Sequence, residues 1–477
     1  MFKKSIYKYL GLAVICAAYT ACKLPEVAQR AENKNVPAGF SDSQDTLNSA
    51  TIKWKTFFTD PNLVSLIDTA LKNNQELNIT LQDIEIAKNE IKTRKGDILP
   101  TLGYGVGAGI DKVGRYTSSG AGDASTEITP GKGVPEILPD YRFGLQANWE
   151  ADIWHKLHNS KKAAVSHYLS TIEGKNFVIT NLVAEVANSY YELLALDNQM
   201  EVVKKNIKIQ SDALELMKIQ KEATRVTELA VRKFEAEVLS TRSLQFDIQQ
   251  NITEEENKIN FLLGRYPQPI VRDGSTFTEL VPPTIQSGIP SQLLANRPDI
   301  KQAELELAAA KLDVKVAKAQ FYPSLGISAN VGYQAFNPSY LLRTPESLIY
   351  SLAGDLAGPL INKNAIKAAY LTANAKQLQA VFDYEKTILN GYIEVANQVS
   401  NIDNLQKNYD LKSQQVKALK ESIEISNALF RSSRADYFEV LMTQRDALQA
   451  RLELIETKKQ QLNAVVNIYH ALGGGWN

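Results

Sequence analysis

Cysteine is almost missing from this chain: there are two in 477 residues, Cys16 and Cys22, both at the N-terminal end. No disulfide can staple anything beyond residue 22, which excludes a disulfide framework. Long apolar runs are missing too. The stretch from Leu10 to Ala18 is too short to cross a bilayer as a helix, and nothing after it approaches the roughly 20 residues a spanning helix needs. Net charge is absent, with 53 basic side chains against 53 acidic ones, so no field recruits nucleic acid. There is no Gly-rich phosphate loop, GxSxG or HExxH, and no cysteine is available as a nucleophile. The carboxylates are scattered at the spacing of solubilising helix pairs. Neither an enzyme nor a cofactor is expected.

What is present begins with an export signal. Lys3, Lys4 and Lys8 precede the apolar stretch, and small residues lead to Cys22, so residues 1–22 read as a secretory signal. A lone cysteine at the cleavage point indicates lipid attachment at Cys22. Tyr19-Thr20-Ala21-Cys22 resembles a bacterial lipobox, with Tyr19 where an aliphatic residue is usual. Residues 23–59, polar in their first part and carrying Pro25 and Pro37, read as an extended tether.

The rest is organised around a long helical run, Ile172 to Lys221. Apolar residues fall at every seventh position: Ile172, Ile179, Val186, Leu193, Met200, Ile207 and Leu214. The run returns as Val381, Ile388, Val395, Ile402, Tyr409, Val416, Ile423 and Phe430. Glu185-Val186-Ala187-Asn188 recurs 209 residues on as Glu394-Val395-Ala396-Asn397, and Leu263-Gly264 as Leu472-Gly473. A sustained heptad requires a supercoiled helix packed on other helices, and about fifty residues give a rod of about 75 Å. The chain is thus an internal duplication. The first repeat is 60–264, a Pro-rich linker covers 265–291, and the second repeat is 292–477. Each reads helix, strand, strand, long helix, return helix. Asp60-Pro61 opens the first helix, which should run to about Asp97, and Pro298-Asp299 opens its counterpart, reaching about Phe321.

Four stretches alternate with period two. Leu102, Tyr104, Val106, Ala108 and Ile110 alternate with glycines, and Tyr141, Phe143, Leu145, Ala147 and Trp149 with polar or small residues. Leu325, Ile327, Ala329, Val331 and Tyr333 do the same, as do Leu348, Tyr350, Leu352 and Leu356 less cleanly. Each stretch has about the nine to eleven residues that cross a bilayer as a tilted strand. Aromatics lie on the apolar face as in interface girdles, and glycine, asparagine and glutamine suit a wet lumen. Four strands cannot close a barrel, and an open edge is not tolerated in lipid, so several chains must share one barrel. The segments 112–140 and 334–346 would be its outward loops.

This order resembles the outer-membrane efflux protein family, the TolC-like exit ducts, and most of all the lipoprotein branch that acts with resistance-nodulation-division pumps. The resemblance is carried by Leu293-Leu294-Ala295-Asn296-Arg297-Pro298-Asp299-Ile300 with Ala303-Glu304, and by Phe321-Tyr322-Pro323-Ser324-Leu325 with its echo Ile98-Leu99-Pro100-Thr101-Leu102. Trp149-Glu150-Ala151-Asp152-Ile153-Trp154, the closing Ala471-Leu472-Gly473-Gly474-Gly475-Trp476, and Cys22 also fit. It implies an α+β membrane protein in the outer membrane. A homotrimer would build a twelve-stranded β-barrel, with four strands per chain. That barrel would continue into a twelve-helix periplasmic α-barrel with an equatorial helical belt. The implied function is that of a passive exit duct for small toxic compounds in a tripartite pump. Its partners would be a periplasmic adaptor, an inner-membrane transporter of the resistance-nodulation-division type and outer-membrane lipid.

The chain departs from the family at His155 and at Pro359-Leu360-Ile361-Asn362-Lys363-Asn364, where His155 and Asn364 replace glycine. Both residue types tolerate positive φ, so the turns can survive. His155 and His158 are spaced as zinc ligands, but the sequence shows no third ligand and no metal site is expected. The helix reversals, 221–228 and 431–439, correspond at the same offset of 209 and resemble the periplasmic tips of such ducts. By that resemblance Phe438 is the apolar constriction, with Tyr437 beside it, Met442 where many relatives place aspartate, and Glu439 as the nearby acid. Arg225, Glu228, Arg434 and Asp436 are the candidates for tip salt links and adaptor docking. Two other functions fit parts of the sequence. A type I protein-secretion exit channel shares the architecture, and a surface coiled-coil adhesin shares the heptads and export but not the duplicated strands.

Overall fold

The computed structural model describes residues 25–40, 46–275, 277–359 and 363–476. Cys22 lies outside the described residues, as do Leu360, Ile361 and Asn362. Among the described residues no helix is long and apolar enough to cross a membrane.

Helix α1 (Pro61–Asn73) starts as its sequence dictates: Asp60 is extended, its carboxylate accepts from the Asn62 and Leu63 amides, and Pro61 fills the first turn. The single helix expected as far as Asp97 is broken at Asn74. Its backbone leaves the helix, its side-chain oxygen caps the Leu77 amide at 2.9 Å, and its amide nitrogen donates to the Leu262 carbonyl at 2.9 Å. Helix α2 (Gln75–Gly96) therefore starts afresh. An asparagine that caps one helix and closes the end of another outweighs the continuous periodicity.

Strands β1 (Thr101–Asp111), β2 (Leu138–Ala151), β3 (Ser324–Ala335) and β4 (Leu348–Ala357) form one antiparallel sheet in the order β1-β2-β3-β4. The register puts like with like. Tyr104, Leu145, Val331 and Tyr350 form one row across the sheet, and Val106, Phe143, Tyr333 and Leu348 form another. The row that flanks the first, Gly103, Gln146, Asn330 and Ser351, is polar or small, and the row between the two is Gly105, Gly144, Gly332 and Ile349. Side chains alternate between faces along a strand, so the apolar rows share one face and the polar row the other. Phe143 and Tyr333 stack with centroids 5.4 Å apart. Beside them Gly144 faces Gly332, and a Cβ on either would come within 2.6 Å of the partner strand's backbone, so only glycine allows this approach. The apolar face is bare within one chain: Tyr104 is 85% exposed, Val106 80% and Leu352 79%. The sheet belongs to a compact unit made of Ile86–Tyr168 and Leu305–Val381 with the described part of residues 1–31.

The second unit comprises Glu32–Glu85, Leu169–Glu304 and Phe382–Asn477. The long helices contribute to both units: α3 (Lys156–Glu222, 67 residues) and α6 (Asn364–Arg431, 68 residues). The return helices α4 (Glu228–Leu262) and α7 (Tyr437–Ala471) have 35 residues each. Between them α5 spans Pro298–Ala319, labelled in chain order after α4. Helix α3 begins well before the predicted Ile172, because Asp152 accepts from the Leu157 and His158 amides and caps its start. Val186, Leu193, Met200, Val381, Ile388 and Val395 of the heptad seam are buried, and the remaining seam positions are at least half-buried. The main core joins Val186, Tyr190, Leu193 and Leu194 of α3 to Leu63 and Ile67 of α1, Ile252 and Ile259 of α4, and Leu462 and Tyr469 of α7.

Arg297, 6% exposed, ties three segments together: it donates to Asp299 (2.7 and 3.0 Å), to Glu394 of α6 (2.7 Å) and to the Ala471 carbonyl ending α7 (2.7 Å). Burial alone would lower its pKa, but the Asp299 bonds and the Asp299 and Glu394 charges raise it overall, so it stays charged. Within the expected tether, residues 25–40 have neither helix nor strand, whereas Ser49–Thr51 and Trp54–Phe57 are short helical turns and Trp54 is buried. The segment is also docked. Val27 packs on Ala317, Phe321 and Tyr370, Lys34 pairs with Glu304, and Phe40 stacks on Tyr392.

Candidate functional site

The site begins with two helix reversals of the same construction. At the end of α3 the Arg225 amide donates to the Gln220 carbonyl and the Thr224 amide to the Lys221 carbonyl, both at 2.9 Å, with Thr224 at φ 56°. At the end of α6 the Arg434 amide donates to Leu429 and the Ser433 amide to Phe430, with Ser433 again at φ 56°. These are Schellman closures, whose left-handed residue is ordinarily glycine. The far ends of the return helices close identically through Gly264 (φ 64°) and Gly473 (φ 90°).

Space explains the difference between the pairs. A Cβ on Gly264 would lie 2.3 Å from the Asn73 carbonyl oxygen, and one on Gly473 would lie 2.6 Å from that of Asn296. Thr224 and Ser433 are exposed, so a side chain is admitted there, although the left-handed backbone still opposes it.

Below the turns Met217, Val231, Phe234 and Leu441 form a small buried cluster that draws in Leu214, Val226, Phe430 and Tyr437. Both hairpins contribute, so the cluster fixes one against the other. The predicted gate residues separate at this point. Tyr437 belongs to the cluster and Met442 is half-buried on the next turn of α7. Phe438 is 43% exposed, and Glu439 is also exposed. The Lys233 ammonium of α4 sits 4.6 Å from the Phe438 ring centroid, a cation–π contact.

Among the predicted tip charges only Glu228 has an ion pair among the described residues of one chain. It pairs with Lys221 across the turn and with Arg232 at 2.8 Å one turn along α4. These bonds, Lys221 first, hold its carboxyl below the usual range. Arg225, Arg434 and Asp436 are exposed and form no ion pair with one another, and Asp436 occupies the N-cap of α7 without a side-chain cap bond. Sequence reasoning missed Lys221, Arg232 and Lys233. The i,i+4 spacing of Glu228 and Arg232 was legible. Lys233 has no such signal, because it reaches the Phe438 ring from the other return helix.

The arrangement presents a bulky ring, a cation over it and an acid at the end of a helical hairpin pair, which can set the size and field of an aperture.

The outer membrane efflux protein family model matches residues 66–265 and 289–474, one block on each half of the duplication. The chain belongs to the outer membrane efflux protein family. A relative, the pyoverdine export outer membrane protein OpmQ of Pseudomonas aeruginosa, is 27% identical over 98% of this chain and 97% of its own length. The probable outer membrane lipoprotein SilC of Salmonella typhimurium is 26% identical over 92% of this chain and 93% of its own. The open-state crystal structure of the Neisseria gonorrhoeae MtrE outer membrane channel superposes with a TM-score of 0.82 at 22% identity, covering 95% of this chain and 98% of that one. The fold is therefore that of an outer-membrane channel, and this family member is an efflux protein of the outer membrane whose main sheet has four strands among the described residues.

Proposed function

We propose that three copies of this chain close one twelve-stranded barrel and serve as the exit duct of a tripartite efflux pump, working with a periplasmic adaptor and an inner-membrane transporter of the resistance-nodulation-division type. One observation carries the reading. Strands β1 and β4 are the two edges of the sheet, and the apolar face between them is open to the surroundings within one chain. Lipid has no hydrogen bonds to offer those edges, so they must pair with other copies. Lipid attachment at Cys22 would anchor the duct from the periplasmic side.

In this reading Phe438 forms the constriction, held by Lys233, with Glu439 beside it, Tyr437 and Met442 behind it, and Arg225, Glu228, Arg434 and Asp436 on the surface an adaptor meets. An adaptor that binds the splayed tip better shifts the duct toward its open state. The relatives are named for pyoverdine export, cation efflux, solvent efflux and toluene efflux. One architecture therefore accompanies different cargoes, which the pump selects and the duct passes on without chemistry.

The test is deletion of the gene in its host, scored by sensitivity to toxic small molecules, with complementation by the wild type and by Phe438→Ala. Hypersensitivity restored by both, with added uptake of bulky antibiotics through Phe438→Ala, is the expected result. Unchanged sensitivity in the deletion strain defeats the efflux assignment, and restoration without added uptake defeats the gate.

A further inference from the structure

We propose that Asp152, His155 and His158, at the turn between β2 and α3, bind a divalent transition cation of the Zn2+ class, one per chain. The sequence shows two imidazoles without a third ligand, and the fold supplies it. One ligand atom from each of the three residues lies within 4.8 Å of the others. The Asp152 carboxylate is 2.6 Å from His158 Nδ1, and the two imidazole rings are nearly perpendicular with centroids 6.0 Å apart, so their nitrogens can converge without stacking. Ligands about 2.0–2.2 Å from a tetrahedral ion are roughly 3.3–3.6 Å apart, which small side-chain rotations reach here. Asp152 is already aimed: the amides of Leu157 and His158 hold its two oxygens at 3.0 and 2.8 Å, its side chain is 6% exposed, and His158 is 53% exposed. Two imidazoles and one carboxylate are a donor set for a borderline divalent ion, with water completing the shell.

A second observation concerns His155 itself. It sits at φ 57°, a left-handed conformation that is strained for an L-residue and that glycine adopts freely. The left-handed residue is particular to this turn: its counterpart 209 residues on, Asn364, already lies in α6 and has no positive φ, contrary to the expectation that both turns keep that conformation. The first half thus keeps a strained histidine where its backbone brings that ring beside His158 and Asp152. The positive end of α3 opposes a cation, and the Asp152 carboxylate offsets it, so moderate rather than structural-zinc affinity is expected. An ion here would pin the end of β2 to the start of α3.

The experiment uses the full-length untagged protein in detergent, stripped with chelator and titrated with Zn2+ by calorimetry, with Cu2+ paramagnetic resonance to count imidazole ligands. The variants are His155→Gly, which relaxes the backbone and so keeps the turn, and His158→Gln. His167→Gln, whose ring pairs with Glu306 elsewhere in the same unit, is the control. One ion per chain, two imidazole nitrogens on copper, and an affinity at least about tenfold weaker in either site variant but not in the control are expected. No ion taken up by the wild type, or unchanged affinity in both site variants, overturns the proposal.

Discussion

Thr224→Gly should tighten the tip, although glycine usually loosens helices. Thr224 holds φ 56° in an exposed turn, and a left-handed L-residue costs about 1–2 kcal/mol. Glycine removes that cost but adds about 0.5–1 kcal/mol of unfolded-chain entropy, leaving a net gain of about 0.5–1 kcal/mol. At 1.4 kcal/mol per decade this is about a two- to fivefold lower population of the opened turn. The reporter is the Arg225 amide, which donates to the Gln220 carbonyl and exchanges with solvent only when the closure opens. Its hydrogen exchange, corrected for neighbour effects, should slow by that factor, and Ser433→Gly should slow Arg434 by less because serine is not β-branched. Gly264→Ala is the opposite case in the same motif. With φ 64° and a Cβ 2.3 Å from the Asn73 oxygen it must displace backbone, at a cost of about 2 kcal/mol or more. If Arg225 exchanges as fast or faster in Thr224→Gly, the left-handed strain is not what limits this turn.

Three further outcomes follow from the same structure. Arg297→Ala leaves Asp299 without its cation, Glu394 with only His470 at 3.9 Å and the Ala471 carbonyl unsatisfied, so it should destabilise the helical unit by about 3–5 kcal/mol, with Arg297→Lys intermediate, as read by thermal unfolding in detergent. Glu228 has a depressed carboxyl pKa in the folded tip. Its contribution is therefore complete above the ordinary carboxylate range and is lost as pH falls through the depressed value. Proteolysis of the 221–228 turn should rise on acidification into that range, and Glu228→Gln should be cleaved alike at both pH values. Lys233→Gln removes the cation over Phe438, worth about 0.5–1 kcal/mol at an exposed site, and should raise the closed-state leak slightly, less than Phe438→Ala, in bilayer conductance.

The elements with a strong period were legible in the sequence. The heptad seam is buried or half-buried along both long helices, and the period-two residues form matched rows across the sheet. Offset counting placed the reversals, because Thr224 and Ser433 share one backbone conformation with Gly264 and Gly473. What periodicity could not show were contacts made by single polar side chains. Asn74 ends a helix the apolar pattern would continue, and Asp152 starts α3 sixteen residues before the seam begins. The sequence motif around Arg297 carried the family resemblance, yet its role as a clasp on α6 and α7 emerges only when three distant segments meet. At the tip, position along the chain identified Phe438 but not the lysine from another helix that lies over it.

The central claim is that the sheet of one chain is a fragment of a shared barrel. Native mass spectrometry of the full-length protein, released gently from detergent, tests it most directly. The account predicts a particle of three chains, with the edge amides of β1 and β4 protected from exchange. A stable single-chain particle whose edge strands are equally protected would contradict it.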